Sequence, residues 1–396
     1  MLKITAIRVH ILRVPLGNER FFSSQCSFPE RKSLLVQVET DAGIDGWGEG
    51  GQWGPAEPVA ACIRDVLGPR LIGRDPREAG KLWHEMYAAT RDFGQKGTYI
   101  EAISALDIAC WDIAGKVSDQ PISRMLGGAF RDTVAAYATG CYYRGEDYLT
   151  GDGAWSALGK EAESYLSDGF QILKMKVGLL GVDQDLARVA AVRKAIGAGC
   201  ALLVDANHAY NQSTAMRMGR GLERFDVRWF EEPVVPEDRD GYRALRNALD
   251  VPIAGGECEF THYGFRDLIA GGCVDIAQPD LCAAGGFTGW GKIVAIGESF
   301  GVWVIPHVWG SGIALAAALH VVAALPPFPH TANPIPLQNE PVIEFDRNRN
   351  PLRDDLLEES FALHGGRVAV PSGPGLGIHV RAEVLRRYAD TARVPG

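Results

Sequence analysis

From about Thr133 onward the chain repeats an order that few folds can accommodate. A short apolar run ends in a polar or charged residue, and a helical stretch follows. The runs fall at 135–139, 170–177, 201–204, 227–230, 251–254, 274–277 and 302–305, with an eighth expected at 342–345. Helical patterns such as 182–196 and 213–224 separate them. Strands alternating with helices need a parallel sheet, and eight units predict an α/β fold of the closed (β/α)8, or TIM barrel, type.

The first part of the chain reads differently. Residues 3–14 and 34–39 alternate as antiparallel strands, with a Gly/Asp turn at 41–46 and a short return through Trp47. From 56 to about 116 the pattern is helical, with Ile103, Leu106, Ile108, Cys110, Trp111 and Ile113 forming an apolar face. The expected organisation is an α+β capping domain over 1–130, a barrel domain over 131–370, and a segment 371–396 that returns to the cap. Two irregular stretches, 17–31 and 50–58, have the character of recognition loops. The apolar stretch 313–325 contains His320 and reads as a buried helix.

Charge narrows the partners. With 40 basic and 49 acidic side chains the net charge is −9, which argues against nucleic acid or an anionic membrane. A small carboxylate substrate remains compatible, because a bound metal reverses the local field. Eight dispersed cysteines without a CxxC pair read as reduced thiols of a cytoplasmic protein. Arg8, His10 and Arg13 interrupt what would be the apolar core of a secretory signal.

Chemistry concentrates where the strands end, which in a barrel is the functional face. Asp205, Glu231 and Glu257 are spaced 26 and 26 residues apart, one βα unit each. Any one alone could be a solvated loop carboxylate or a helix cap. Three converging on one point need a cation, and an all-oxygen set suits Mg²⁺. Glu232 points away from the face of Glu231 and reads as structural.

Lys174 and Lys176 are two apart and face the same side of their strand. Two ammonium groups so close are expected to lower the pKa of one, giving a usable general base. A salt-bridge or phosphate-binding pair is the alternative. Asp280 and His307 end adjacent strands, so the carboxylate can orient the imidazole. His320, His330 and His379 read as structural.

These residues resemble the enolase superfamily, and within it the mandelate racemase subgroup. The resemblance rests on Lys174-Met-Lys176, Asp205, Glu231-Glu-Pro, Gly-Gly-Glu257, Asp280 and His307, and on Trp47-Gly-Glu-Gly50 in the cap. It implies that Asp205, Glu231 and Glu257 bind one Mg²⁺. Lys176, with Lys174 beside it, would serve one face of the substrate, and the Asp280–His307 dyad the other. A glutamate near the eighth strand would meet the substrate carboxylate. Glu344 fits that pattern better than Glu340. Asn207 and Trp309 are the further candidate substrate contacts.

The implied reaction removes the proton α to a carboxylate. The stretches 229–237, 278–281 and 306–310 are similar to the cycloisomerases that open sugar lactones, so ring opening by β-elimination is expected first. Acid-sugar dehydration comes second and epimerisation third. Members of the family are commonly homo-oligomers.

Overall fold

The computed structural model describes residues 2–51, 54–144, 152–332, 340–359 and 361–389. The chain opens with three antiparallel strands, β1 (Ile4–Pro15), β2 (Glu30–Thr40) and β3 (Asp45–Gly50), in that sheet order. Alternate residues of β3 are glycines, and they leave one face bare. A Cβ at Gly48 would stand 2.0 Å from the Ala105 carbonyl oxygen, and one at Gly46 2.2 Å from that of Ala109. The long helix α1 (Thr98–Ser118) therefore lies directly on the sheet. The expected helical stretch before it is divided: Gly73, at positive φ, follows the end of one helix, and Gly97, also at positive φ, stands just before the start of α1.

Eight parallel strands follow: β4 (Thr133–Gly140), β5 (Ile172–Lys176), β6 (Ala201–Asp205), β7 (Val227–Glu231), β8 (Ile253–Gly255), β9 (Ile276–Ala277), β10 (Trp303–Val304) and β11 (Val342–Asp346). They neighbour one another in chain order, and β11 lies beside β4. This is the (β/α)8 barrel the rhythm predicts, with strand limits differing by a few residues. Among the described residues no backbone ladder joins β10 to β11. Tyr137, Leu203, Trp229, Ile276 and Trp303 fill the barrel interior. Leu173, Met175 and Val177 face the helical shell, which leaves Lys174 and Lys176 inside.

The apolar helix α2 (Gly312–Ala324) is buried nearly throughout. His320 Nδ1 accepts the Ser123 N–H at 3.2 Å and Nε2 faces the Leu376 carbonyl at 3.1 Å, an arrangement for a neutral ring. Towards the end of the described chain, Leu376 N donates to Asp112 of α1 at 2.8 Å and Ala389 bridges Leu12 of β1.

Glu49, on β3, joins the two domains. Its buried carboxylate accepts from Ser33 Oγ, from Ser311 N and Oγ (3.0 and 2.5 Å), and from Ala314 N (3.1 Å). The last two residues supply N–H groups at the start of α2, where donors have no helical partner. A second joint is the buried Arg31–Asp346 ion pair.

Candidate active site

The barrel's C-terminal end gathers the charged side chains. Lys174 Nζ lies 2.6 Å from Glu231, 2.9 Å from Glu344 and 3.7 Å from Asp205. Lys176 Nζ is paired with Asp205. Asp205 also accepts the Asn207 N–H at 2.9 Å, and Glu231 accepts Trp229 Nε1 at 3.0 Å and Gln278 Nε2 at 2.9 Å. Oxygen atoms of Asp205, Glu231 and Glu257 lie within 4.8 Å of one another. All three side chains are buried.

Asp280 and His307 form a bridge between their strand ends, with His307 Nδ1 2.7 Å from Asp280 Oδ2. The other Asp280 oxygen caps the helix that follows by accepting Cys282 N at 2.7 Å. His307 Nε2 then faces Glu257 at 3.4 Å and Glu344 at 3.9 Å. Glu344 is held by Thr139 Oγ1 at 2.6 Å and by Val308 N at 3.2 Å.

Burial and crowding shape the titration. Burial raises the Glu231 carboxyl to about 7, even beside Lys174. Burial would also raise Asp205, but Lys176 and Lys174 outweigh it and hold that carboxyl low. Burial opposes the charge on both lysines, yet their carboxylate neighbours prevail and both pKa values rise. This corrects the sequence expectation of a depressed lysine: mutual repulsion is one effect, and the surrounding anions exceed it. His307 is treated likewise, since Glu257 and Asp280 outweigh burial and lift it to about 9.

Three buried, mutually repelling carboxylates with only oxygen donors are a donor set that fits Mg²⁺. A cation between them would offset the burial and the neighbouring charge that raise Glu231.

A cavity of about 570 Å³ opens over these groups, within the range of small-molecule sites. Lys176, Asn207, Glu257, His307, Trp309 and Glu344 line it from the barrel, and Cys26, Phe28, Arg31 and Lys32 from the cap. The buried Asn207 Oδ1 has no hydrogen-bond partner among the described residues. Trp309 packs edge-on against Phe21 and at a tilt against Phe28 and Tyr142, and the Arg31 guanidinium lies 4.7 Å above its ring.

The structure does not bring Glu340 to this cavity. It precedes β11, at the opposite end of the barrel, where Arg367 binds it at 2.5 Å. Sequence reasoning also left Tyr142, Trp229, Arg31 and Lys32 outside the site. Trp229 was legible as an inward neighbour of Glu231, two residues apart. Arg31 closes the stretch 17–31, which reads as a recognition loop, whereas Lys32 just beyond it carried no signal of its own, because only the tertiary docking puts it over the mouth.

A capped barrel whose mouth gathers two buried lysines, a His–Asp dyad and three converging carboxylates defines an enzyme of the enolase superfamily. Residues 6–127 match the mandelate racemase / muconate lactonizing enzyme N-terminal domain, and residues 157–384 the enolase C-terminal domain-like family. The chain belongs to the mandelate racemase / muconate lactonizing enzyme family of that superfamily. It is 43% identical to a D-galactarolactone cycloisomerase of Agrobacterium fabrum, over 98% of this chain and 99% of the relative. It is 36% identical to an arabinonate dehydratase of Saccharolobus solfataricus, over 90% of each. The solved 3,6-anhydro-D-galactonate cycloisomerase from Zobellia galactanivorans superposes with a TM-score of 0.86 at 41% identity, covering 98% of this chain and all of that one.

Proposed function

We propose that this enzyme removes the proton α to the carboxylate of a cyclic sugar acid or sugar lactone and expels the ring oxygen from the β carbon. The observation that carries this is the pair Lys176 and His307, which line one cavity from strand ends two and seven. Two similar enzymes, at 43% and 41% identity, are named for sugar acids closed into a ring.

The chemistry is limited by the acidity of the α carbon, since the enediolate carries two negative charges. When bound, Mg²⁺ would stabilise that second charge. Asp205, Glu231 and Glu257 would hold it. Lys176 Nζ takes the α proton after releasing its own to solvent, a loss that its pairing with Asp205 opposes and that engagement of Asp205 elsewhere would ease. Lys174 stays fixed by Glu231 and Glu344 and sustains positive potential beneath the carboxylate. His307 Nε2, with its ring oriented by Asp280, delivers a proton to the departing oxygen. Asn207 and Trp309 contact the substrate, Asn207 through its unpartnered Oδ1. Lys32, half-buried over the cavity and in no ion pair among the described residues, attracts the negatively charged substrate.

Acid-sugar dehydration is the second reading, favoured by the arabinonate dehydratase similarity. It shares the first step and differs in expelling a hydroxyl. Among the described residues no helix is long and apolar enough to cross a membrane. Eight cysteines that form no disulfide among the described residues support a cytoplasmic setting, and the family resemblance supports a homo-oligomer, which light scattering tests.

Proton NMR in D₂O with Mg²⁺ and a panel of aldarolactones, anhydro-aldonates, aldonates and aldarates tests the reading. Loss of the α-proton signal with an opened, unsaturated or keto product from a cyclic substrate is expected. Turnover of open-chain acids alone would replace it with dehydration.

A further inference from the structure

A second group of ligand-type side chains lies directly behind the carboxylate set and takes no part in the proposed reaction. His208, Glu232 and Cys258 each follow a strand-end residue of the site, on the loops after β6, β7 and β8. Positive φ at His208, Glu232 and Gly256 turns the backbone there, so each side chain swings off the face of its neighbour. Their donor atoms lie within 4.8 Å of one another. His208 Nε2 is 3.2 Å from Glu232 Oε2 and 3.6 Å from Cys258 Sγ.

These spacings match a tetrahedral transition-metal site. Bonds of about 2.0 Å to nitrogen and oxygen and about 2.3 Å to sulfur, at tetrahedral angles, separate N from O by about 3.3 Å and S from N by about 3.5 Å. Glu232 is 1% exposed, and its Oε2 has no aligned hydrogen-bond donor among the described residues despite its nearness to His208. Cys258 borders the cavity, which leaves a fourth position open. Thiolate and imidazole prefer Zn²⁺ and its relatives over Mg²⁺.

We propose that His208, Glu232 and Cys258 form a second metal site, selective for Zn²⁺-like cations, beside the Mg²⁺ carboxylates. Binding would displace the Cys258 thiol proton into solvent, with no change of oxidation state. The site is independent of which sugar acid is turned over.

Co²⁺ is the probe, because a thiolate ligand gives a charge-transfer band in the near ultraviolet and a tetrahedral set gives strong visible bands. The full chain is titrated with Co²⁺ under excess Mg²⁺. One Co²⁺ per chain with the thiolate band is expected. Cys258→Ser should abolish the band, His208→Gln should weaken binding at least about tenfold, and Cys26→Ser should leave both intact. Circular dichroism confirms folding of each variant. Absence of the band in the wild type, its survival in Cys258→Ser, or complete displacement by Mg²⁺ would overturn the assignment.

Discussion

Replacing Glu49 by alanine tests how the cap is fastened to the barrel. The wild-type carboxylate receives two backbone N–H groups from the start of α2 and two serine hydroxyls. After truncation Ser33 and Ser311 can turn towards each other, but the N–H groups of Ser311 and Ala314 are fixed. A buried donor left unmatched costs about 1–3 kcal/mol, so two cost about 2–6 kcal/mol. Burial raises the Glu49 pKa, which means the charged form is itself held at some cost, and its removal returns part of the loss. The net expectation is about 3 kcal/mol. For 396 residues the unfolding entropy is on the order of 0.8 kcal/mol/K, so the melting temperature should drop by about 4 °C. Glu49→Gln keeps an acceptor oxygen and should lose less than half as much. Scanning calorimetry of the three proteins measures both shifts. A Glu49→Ala protein that melts at or above the wild type, or a Gln variant as damaged as the Ala one, refutes the reasoning.

Other expectations follow from the same geometry. Burial lowers the His320 pKa to about 4, so the folded state holds the neutral ring. Its contribution is complete above pH ~6.5 and is lost as pH falls towards 4, by about 3 kcal/mol. Denaturation midpoints across that window measure it, and a His320→Gln variant with the same acid slope sinks the assignment. Glu257→Gln should weaken Mg²⁺ binding at least about tenfold by calorimetry, and unchanged affinity removes Glu257 from the ligand set. Gly48→Ala places a methyl against the Ala105 carbonyl and should destabilise by at least about 3 kcal/mol, or prevent soluble expression. Lys32→Ala should raise KM for a lactone several-fold with a smaller change in kcat, and an unaltered KM discards its role.

The barrel and most of the site were legible for one reason. A βα unit has a nearly fixed length, so evenly spaced carboxylates at strand ends must converge. Strand parity likewise placed Lys174 and Lys176 on one side. What was not legible depends on packing between distant segments. Glu340 lies just before β11 and Glu344 on it, four residues apart yet at opposite ends of the barrel, and the pattern around them does not mark where the strand begins. The direction of the lysine shifts needed a count of surrounding anions, which spacing alone does not provide. His208 and Cys258 looked unremarkable because the turns that bring them to Glu232 arise from local positive φ.

The carboxylate of Glu344 sits where the barrel's own ladder is interrupted. It reaches from β11 to Thr139 on β4, to Lys174 on β5, and to the Val308 N–H just past β10. The side chain is therefore a clasp across the seam as well as a lining of the cavity. A barrel fastened at its mouth by an ionised group has its tightest closure where charge rearranges during turnover. Each change of charge in the cavity then tugs on the seam, and substitution at this position alters the shape of the vessel together with its contents.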